Sequence, residues 1–372
     1  MATFSSHPPA APNTGLGLPR AGWGVLWAVL LSIALVFIAL TMLTTGELAL
    51  EREAVLRVLF ISQDDIGDAD AVPFFIKPFA TGASATDRIA HVVVHDLRLP
   101  RALLGGLVGA AMALAGVMLQ DTLRNPLAEP GIMGISAGAV LGVAIVTILH
   151  IPVPAGALPW IALIGGFASG TFLMIAAAFR LDSTRLVLVG ASITAFVNAG
   201  LVVLISIGEP YDIQLFYRFL VGSLANRSWD AVHQILPWLV VLMPLALLSA
   251  RVLNLLQLGD DVAEGLGLPV LKARLAILAI SVGLVAAVVS IAGPISFISL
   301  IAPHTARRLL RTHDARLVLP IAALLGAVLL SAADLFAHTV AAPVELPVGI
   351  FTTVFGAPVL LVLLRRELRK VG

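Results

Sequence analysis

The sequence contains no cysteine. Disulfides, thiolate metal sites and cysteine nucleophiles are therefore excluded. Charge is nearly as scarce: Asp, Glu, Lys and Arg make up 12% of the 372 residues, against about 25% in soluble domains. What charge there is almost cancels, at +1, which leaves no basic field for a nucleic-acid partner. No Gly-Lys dipeptide occurs, so no Walker A phosphate loop can form. No His-Glu-x-x-His zinc motif occurs either. The sequence offers no candidate catalytic residue, no cofactor site and no metal site, so any energy from ATP must arrive through another chain.

What is abundant is apolar sequence: 59% of residues, with a mean hydropathy of +1.02. Ten apolar segments follow one another, at about 23–44, 92–120, 131–149, 158–179, 185–207, 232–250, 271–292, 295–310, 316–338 and 346–364. Lipid supplies no partners for backbone polar groups, and no alternating barrel pattern is present. These segments predict an all-α polytopic membrane protein with about ten transmembrane helices. The eighth is short and carries Pro303 and His304. Trp23 to Leu43 is long enough to span and longer than the core of a secretory signal, so it reads as a retained first helix.

Residues 1–22 are rich in Pro, Ala and Ser and read as a disordered tail. Residues 23–366 read as one transmembrane domain, and 367–372 as a second tail. Of the 23 Lys and Arg, fifteen fall on the side of the two termini when ten spans are threaded. By the positive-inside rule this places both termini in the cytoplasm. The long loop 45–96 is then external. Its run Gln63-Asp64-Asp65-Ile66-Gly67-Asp68 lacks the ligand spacing and terminal Glu of a calcium loop and reads as solvated. Tyr211 to Asn226 is too polar to span and reads as an amphipathic surface helix.

The polar residues concentrate at the segment ends. Arg98 and Arg101, three apart, sit at the external mouth of the second crossing, against the positive-inside bias. They either snorkel to headgroups or offer a cationic patch to an acidic partner surface. Asn125-Pro126-Leu127-Ala128-Glu129-Pro130-Gly131 is a turn by composition. Asp182-Ser183-Thr184 reads as a helix N-cap. Gly105, Gly106, Gly109, Ala113 and Gly116, and again Gly134, Gly138 and Gly142, set small residues at the spacing of close helix packing. Leu258 to Pro269 is the longest polar interruption between late spans, and its Gly-Leu-Gly-Leu-Pro ending fits a helix stop. His91 and His95, at i, i+4, lack a third ligand in the sequence.

Taken in order, Arg98–Gly142, Ala292-Gly293-Pro294-Ile295-Ser296-Phe297 through Pro303-His304, Ala333 to His338, Glu345 to Ile350 and Gly356-Ala357-Pro358 resemble the permease family that imports iron chelates, haem and vitamin B12, the type II importers of the ATP-binding cassette class. The resemblance runs from about Ala90 to Leu364. It implies the type II permease fold, a second copy of the permease, two ATP-binding cassette subunits that hold the ATP and magnesium, and a periplasmic substrate-binding protein. The location it implies is the bacterial inner membrane.

It also implies roles, position by position. Asn125, Leu127, Ser183 and Thr184 match a cytoplasmic gate. Ala263, Glu264, Gly265, Leu266 and Gly267, within 257–270, match a coupling helix that enters a groove of the ATP-binding subunit. Arg98, Arg101 and His338 match outer positions that dock the binding protein. His338 departs from the usual Arg, and its alternative is an i, i+4 pair with Asp334; as a docking residue it would make binding pH-dependent. Ser299 stands where Gly is usual. The implied cargo is haem or a ferric siderophore, with the external histidines tilting toward haem. Cobalamin, an oxyanion, or an ATP-independent secondary transporter are the alternatives. The last needs ion-coupling residues inside the spans, where only Asp334 and His304 come near.

Overall fold

The computed structural model describes residues 20–46, 50, 55, 58–59, 85–131, 133–154, 156–179, 183–340 and 344–371. Among the described residues the chain is helical: α1 (Arg20–Thr44), α2 (Ala85–Val92), a π-helical turn (Val93–Arg98), α3 (Leu99–Leu123), α4 (Ile135–Ile148), α5 (Leu158–Ala178), α6 (Ser183–Ile207), α7 (Pro210–Leu220), α8 (Trp229–Leu248), α9 (Ala250–Gln257), α10 (Asp260–Gly265), α11 (Val270–Ala292), α12 (Ile298–Leu310), α13 (Ala315–Thr339) and α14 (Val348–Val371).

Among the described residues, seven helices are long and apolar enough to cross a membrane, and Ile135–Ile148 and Val348–Val362 are shorter apolar helices. With α12 they account for the ten apolar segments. Residues 1–19 of the expected tail, and most of the expected loop 45–96, lie outside the described residues. Two boundaries change. The end of the loop is helical and runs as α2 and the π turn straight into α3. α14 continues through the expected tail to Val371.

α3 is the central post. Every residue from Val108 to Leu123 is buried. Its small residues explain how it can be enclosed. A methyl group on Gly109 would overlap the Gly326 carbonyl of α13, and one on Gly116 would overlap the Ser299 carbonyl of α12. In lipid no hydrophobic force draws helices together, so close van der Waals approach through small residues does that work. α11 is the second post, buried from Ser281 to Ala292. α1, α6, α8 and α14 form the outside, with apolar side chains such as Phe37, Phe196, Val240 and Phe355 exposed, as a lipid-facing or subunit-facing surface requires.

Two stretches of non-helical backbone enter the bundle. Ala292 accepts a hydrogen bond from the Ser223 N–H near the Arg101 end, and Gly293–Phe297 then carries the chain inward until Ser299 meets Gly116. The turn after α3 does the same between Arg124 and Gly134. Irregular backbone at that depth persists only when protein satisfies its polar groups. The Glu129 carboxylate accepts the Phe297 N–H at 2.7 Å, joining the two stretches.

Candidate functional site

At one end of the bundle the π turn sets the site. Pro100 has no N–H to give to the carbonyl four residues back, and its ring crowds that carbonyl, so the turn before it widens. Arg98 and Arg101 then reach different neighbours. Arg98 Nη1 donates to the Leu43 carbonyl at 2.8 Å, placing a cation on the C-terminal carbonyls of α1. Arg101 turns to α13: its Nε and Nη2 donate to Asp334 Oδ2 and Oδ1 at 2.8 and 3.0 Å, and its Nη1 donates to Glu345 at 2.7 Å. Asp334 is 1% exposed and Arg101 12%.

His338 is also buried. Its Nδ1 lies 2.9 Å from the Asp334 backbone carbonyl and its Nε2 3.5 Å from Thr45 Oγ1. The Asp334–His338 side-chain pair does not form, because the Asp334 carboxylate is taken by Arg101. Arg98, Arg101 and His338 do come together, with Arg227, Asn226 and Glu345, around a pocket of about 210 Å³. Arg227 lies in the loop before α8, and burial pulls its guanidinium below the usual arginine value. His91 and His95 stack on each other with ring centroids 4.3 Å apart, and His95 Nε2 lies 2.8 Å from the Val58 carbonyl.

At the other end, α10 is held by salt bridges. Asp260, at its start, receives Arg124 Nη2 at 3.0 Å and Arg274 Nη2 at 2.9 Å. Arg124 is the left-handed residue that ends α3, and Asn125 follows it. Asn125 Oδ1 accepts the Leu127 N–H at 2.9 Å, which closes the turn and leaves Leu127 exposed. α10 itself is bracketed by Gly259 and Gly267, both at positive φ (104° and 85°), a conformation that glycine adopts without strain. Ala263 is buried; Leu258, Val262 and Leu266 are exposed. Glu264 and Gly265 are also exposed. An apolar row on a short helix at the end of a bundle is a surface waiting for a partner groove.

α12 is tied to the same region. Arg307 donates to Gln120 at 2.6 Å and Asp121 at 2.8 Å, and Gln120 donates to the Ser299 carbonyl at 3.2 Å. Ser183 and Thr184 open α6; their side chains lie outside the described residues. α6 presents a wide exposed face, while α3 is enclosed and α12 is packed against it.

Sequence reading missed Glu129, whose buried carboxylate reveals itself only once Phe297 is beside it. The expectation that no nucleophile elbow occurs is wrong as spelling: Gly134-Ile135-Ser136-Ala137-Gly138 matches that motif. Ser136 is buried inside α4, and no strand precedes it among the described residues, so the strand–turn–helix context of an elbow is missing.

The FecCD transport family matches residues 33–366. The chain belongs to this family. It is 37% identical over 80% of its length to the Fe(3+)-citrate import system permease protein YfmE of Bacillus subtilis (strain 168), covering 89% of that protein. It is 39% identical over 76% of its length to the Fe(3+) dicitrate transport system permease protein FecC of Escherichia coli (strain K12), and 38% identical over 76% to the hemin transport system permease protein HmuU of Yersinia pestis, covering 86% of each. A solved structure described as an inward-facing metal-chelate type ABC transporter superposes with a TM-score of 0.74 at 25% identity, covering 92% of this chain and 99% of that one. This FecCD-family chain therefore has the fold of a type II ABC permease.

Proposed function

We propose that this chain is the permease subunit of an ATP-driven importer that carries an iron chelate, a ferric siderophore or haem, from periplasm to cytoplasm across the bacterial inner membrane. Two copies would enclose the pathway and alternate its access, with both termini in the cytoplasm. Two ATP-binding cassette subunits and a periplasmic binding protein complete the unit. The observation that carries the proposal is the Asp260 bridge. It joins α10, whose apolar row is free, to Arg124 beside the Asn125–Leu127 turn and to Arg274 at the foot of α11. Movement of α10 by a closing ATPase pair would thereby reach Asn125 and Leu127, which with Ser183 and Thr184 form the proposed gate. Ala263, Glu264, Gly265, Leu266 and Gly267 form the proposed contact with the ATPase.

The rim with Arg98, Arg101 and His338 is the proposed docking face. Arg101 can exchange Glu345, which is 33% exposed, for a carboxylate of the binding protein while keeping Asp334. The histidines that tilted the cargo toward haem give it no support. His91 and His95 stack on each other, and His338 is turned into the bundle. Ferric chelates bearing carboxylate or hydroxamate groups therefore stand level with haem. The test is ATP-driven uptake into proteoliposomes containing the permease, its ATP-binding subunit and its binding protein. Haem, ferric citrate, a ferric hydroxamate and cobalamin compete in the assay. Uptake without the ATP-binding subunit would overturn the proposal in favour of a secondary transporter.

A further inference from the structure

His150, Glu209 and Asp212 bring one imidazole and two carboxylates to one place on the Arg101 end of the bundle. The chain alternates direction through α3, α4, α5 and α6, so the C-termini of α4 and α6 lie at the end where α3 begins. Gly208 packs against Ile148 and Ile213, which closes the corner between α4, α6 and α7. The ligand atoms of the three side chains all lie within 4.8 Å of one another. His150 Nε2 is 2.8 Å from Asp212 Oδ2. We propose that these three residues form a divalent transition-metal site that clamps α7 to the end of α4.

Three features favour a metal over a simple ion pair. First, Asp212 is buried, at 8% exposed, its Oδ2 accepts no well-aligned hydrogen bond, and the group set against it, the His150 ring at 2.8 Å, carries charge only when protonated. A buried carboxylate without full compensation is costly, and a metal ion supplies the missing positive charge. Second, His150 holds φ 51° in the position after α4 where the Ile151 N–H returns to the Val146 carbonyl. Glycine or asparagine is the usual residue in that left-handed position, so the imidazole is kept there at a backbone cost. Third, Glu209 occupies the N-cap of α7 yet makes no capping hydrogen bond. Its carboxylate is exposed and free to swing toward His150, which is 60% exposed.

The donor set selects the metal. One nitrogen and two carboxylate oxygens suit zinc, nickel or iron(II); a site without imidazole would be needed to favour magnesium or calcium. Three protein ligands around zinc leave a fourth, solvent-facing position. Ligand atoms about 3.4 Å apart are needed for tetrahedral zinc, so the exposed His150 ring, now 2.8 Å from Asp212 Oδ2, would have to draw back and Glu209 to close in. The consequence is mechanical. α7 carries Asp212 and Phe216 on its inner face, and the metal would restrain that helix at the mouth of the bundle without touching any of the docking, gate or coupling residues.

The test uses the full-length permease in detergent, stripped with chelator and titrated with zinc chloride by calorimetry, alongside a thermal melt. One equivalent per chain should bind with micromolar or tighter affinity and raise the melting temperature, with magnesium unable to compete. His150→Ala and Glu209→Ala should each weaken that binding at least tenfold. Glu209 is exposed and makes no capping hydrogen bond, so Glu209→Ala should melt as the unliganded protein does, while His150→Ala also removes the ion-pair partner of buried Asp212 and is compared with its own metal-free melt; Asp212→Asn serves as the isosteric third probe. Zinc binding that is unchanged in both alanine variants, or no stoichiometric binding to the native chain, would overturn the site and leave His150–Asp212 as an ion pair.

Discussion

Arg101 holds Asp334 by a two-pronged salt bridge, 2.8 and 3.0 Å, between residues 233 positions apart in the chain. Removing one partner leaves a buried charge unpaired, which costs about 3–5 kcal/mol, whereas replacing both by apolar groups is often close to neutral. Arg101→Ala, which strands the buried Asp334, should therefore lower the thermal stability of the detergent-solubilised permease sharply, and Asp334→Ala should lower it less, because Arg101 keeps Glu345. The double variant Arg101→Met, Asp334→Leu should recover most of the loss. If Arg101→Ala melted like the native protein, the pair would have no structural role.

Glu129 presents a different test, because its role is to accept one backbone N–H. Glu129→Gln keeps an acceptor for Phe297 and should leave stability within about 1 kcal/mol of native, while Glu129→Ala orphans that N–H and should cost about 1–3 kcal/mol. The ordering Gln above Ala, read by melting and by uptake rate, is the outcome that matters.

Asp260 is 40% exposed at its side chain, but Arg274 is only 8% exposed. Asp260→Ala leaves that guanidinium without its carboxylate and frees α10 from the Arg124 turn. A charged hydrogen bond is worth about 1.5–3 kcal/mol, and each 1.4 kcal/mol is roughly tenfold in an equilibrium. Uptake should fall about tenfold or more while the ATP-binding subunit still co-purifies and hydrolyses ATP. Loss of co-purification instead would place Asp260 in the contact itself.

Neighbouring glycines should respond oppositely. Gly109→Ala drives a methyl group into the Gly326 carbonyl, and Gly106→Ala meets nothing within 4 Å. The first should abolish folded protein in the membrane fraction and the second should be silent. Sequence spacing alone gives the two glycines equal standing.

Asp314, in the turn before α13, accepts from Asn254 at 2.6 Å and from the Arg316 N–H at 3.0 Å. The Asn254 hydrogen bond, with the help of the Arg316 N–H and charge, holds its carboxyl below the usual aspartate value. A depressed carboxylate contributes stability above its unfolded value, near pH 3.9, and loses it as pH falls through the folded value. Asp314→Ala should cost about 1 kcal/mol at pH 7, as for a lost N-cap. The gap to the native protein should narrow as the pH of the melts falls below the unfolded aspartate value.

The apolar runs determined the class of this protein. Without cysteine, with little charge and with ten such runs, the chain has no stable form except a helical bundle in lipid, and the ordered motifs marked the family. The positions of its turns and the helix at 260–265 were legible for the same reason, since glycine, proline and asparagine act locally on the backbone. Tertiary structure decided the partners. That Arg101 takes Asp334, that Glu129 meets Phe297, and that His150 meets Asp212 are all contacts between distant segments. A polar side chain in a low-dielectric interior must find a partner, but hydrophobic periodicity fixes only the face it sits on. Which partner it finds depends on how the helices are packed around α3.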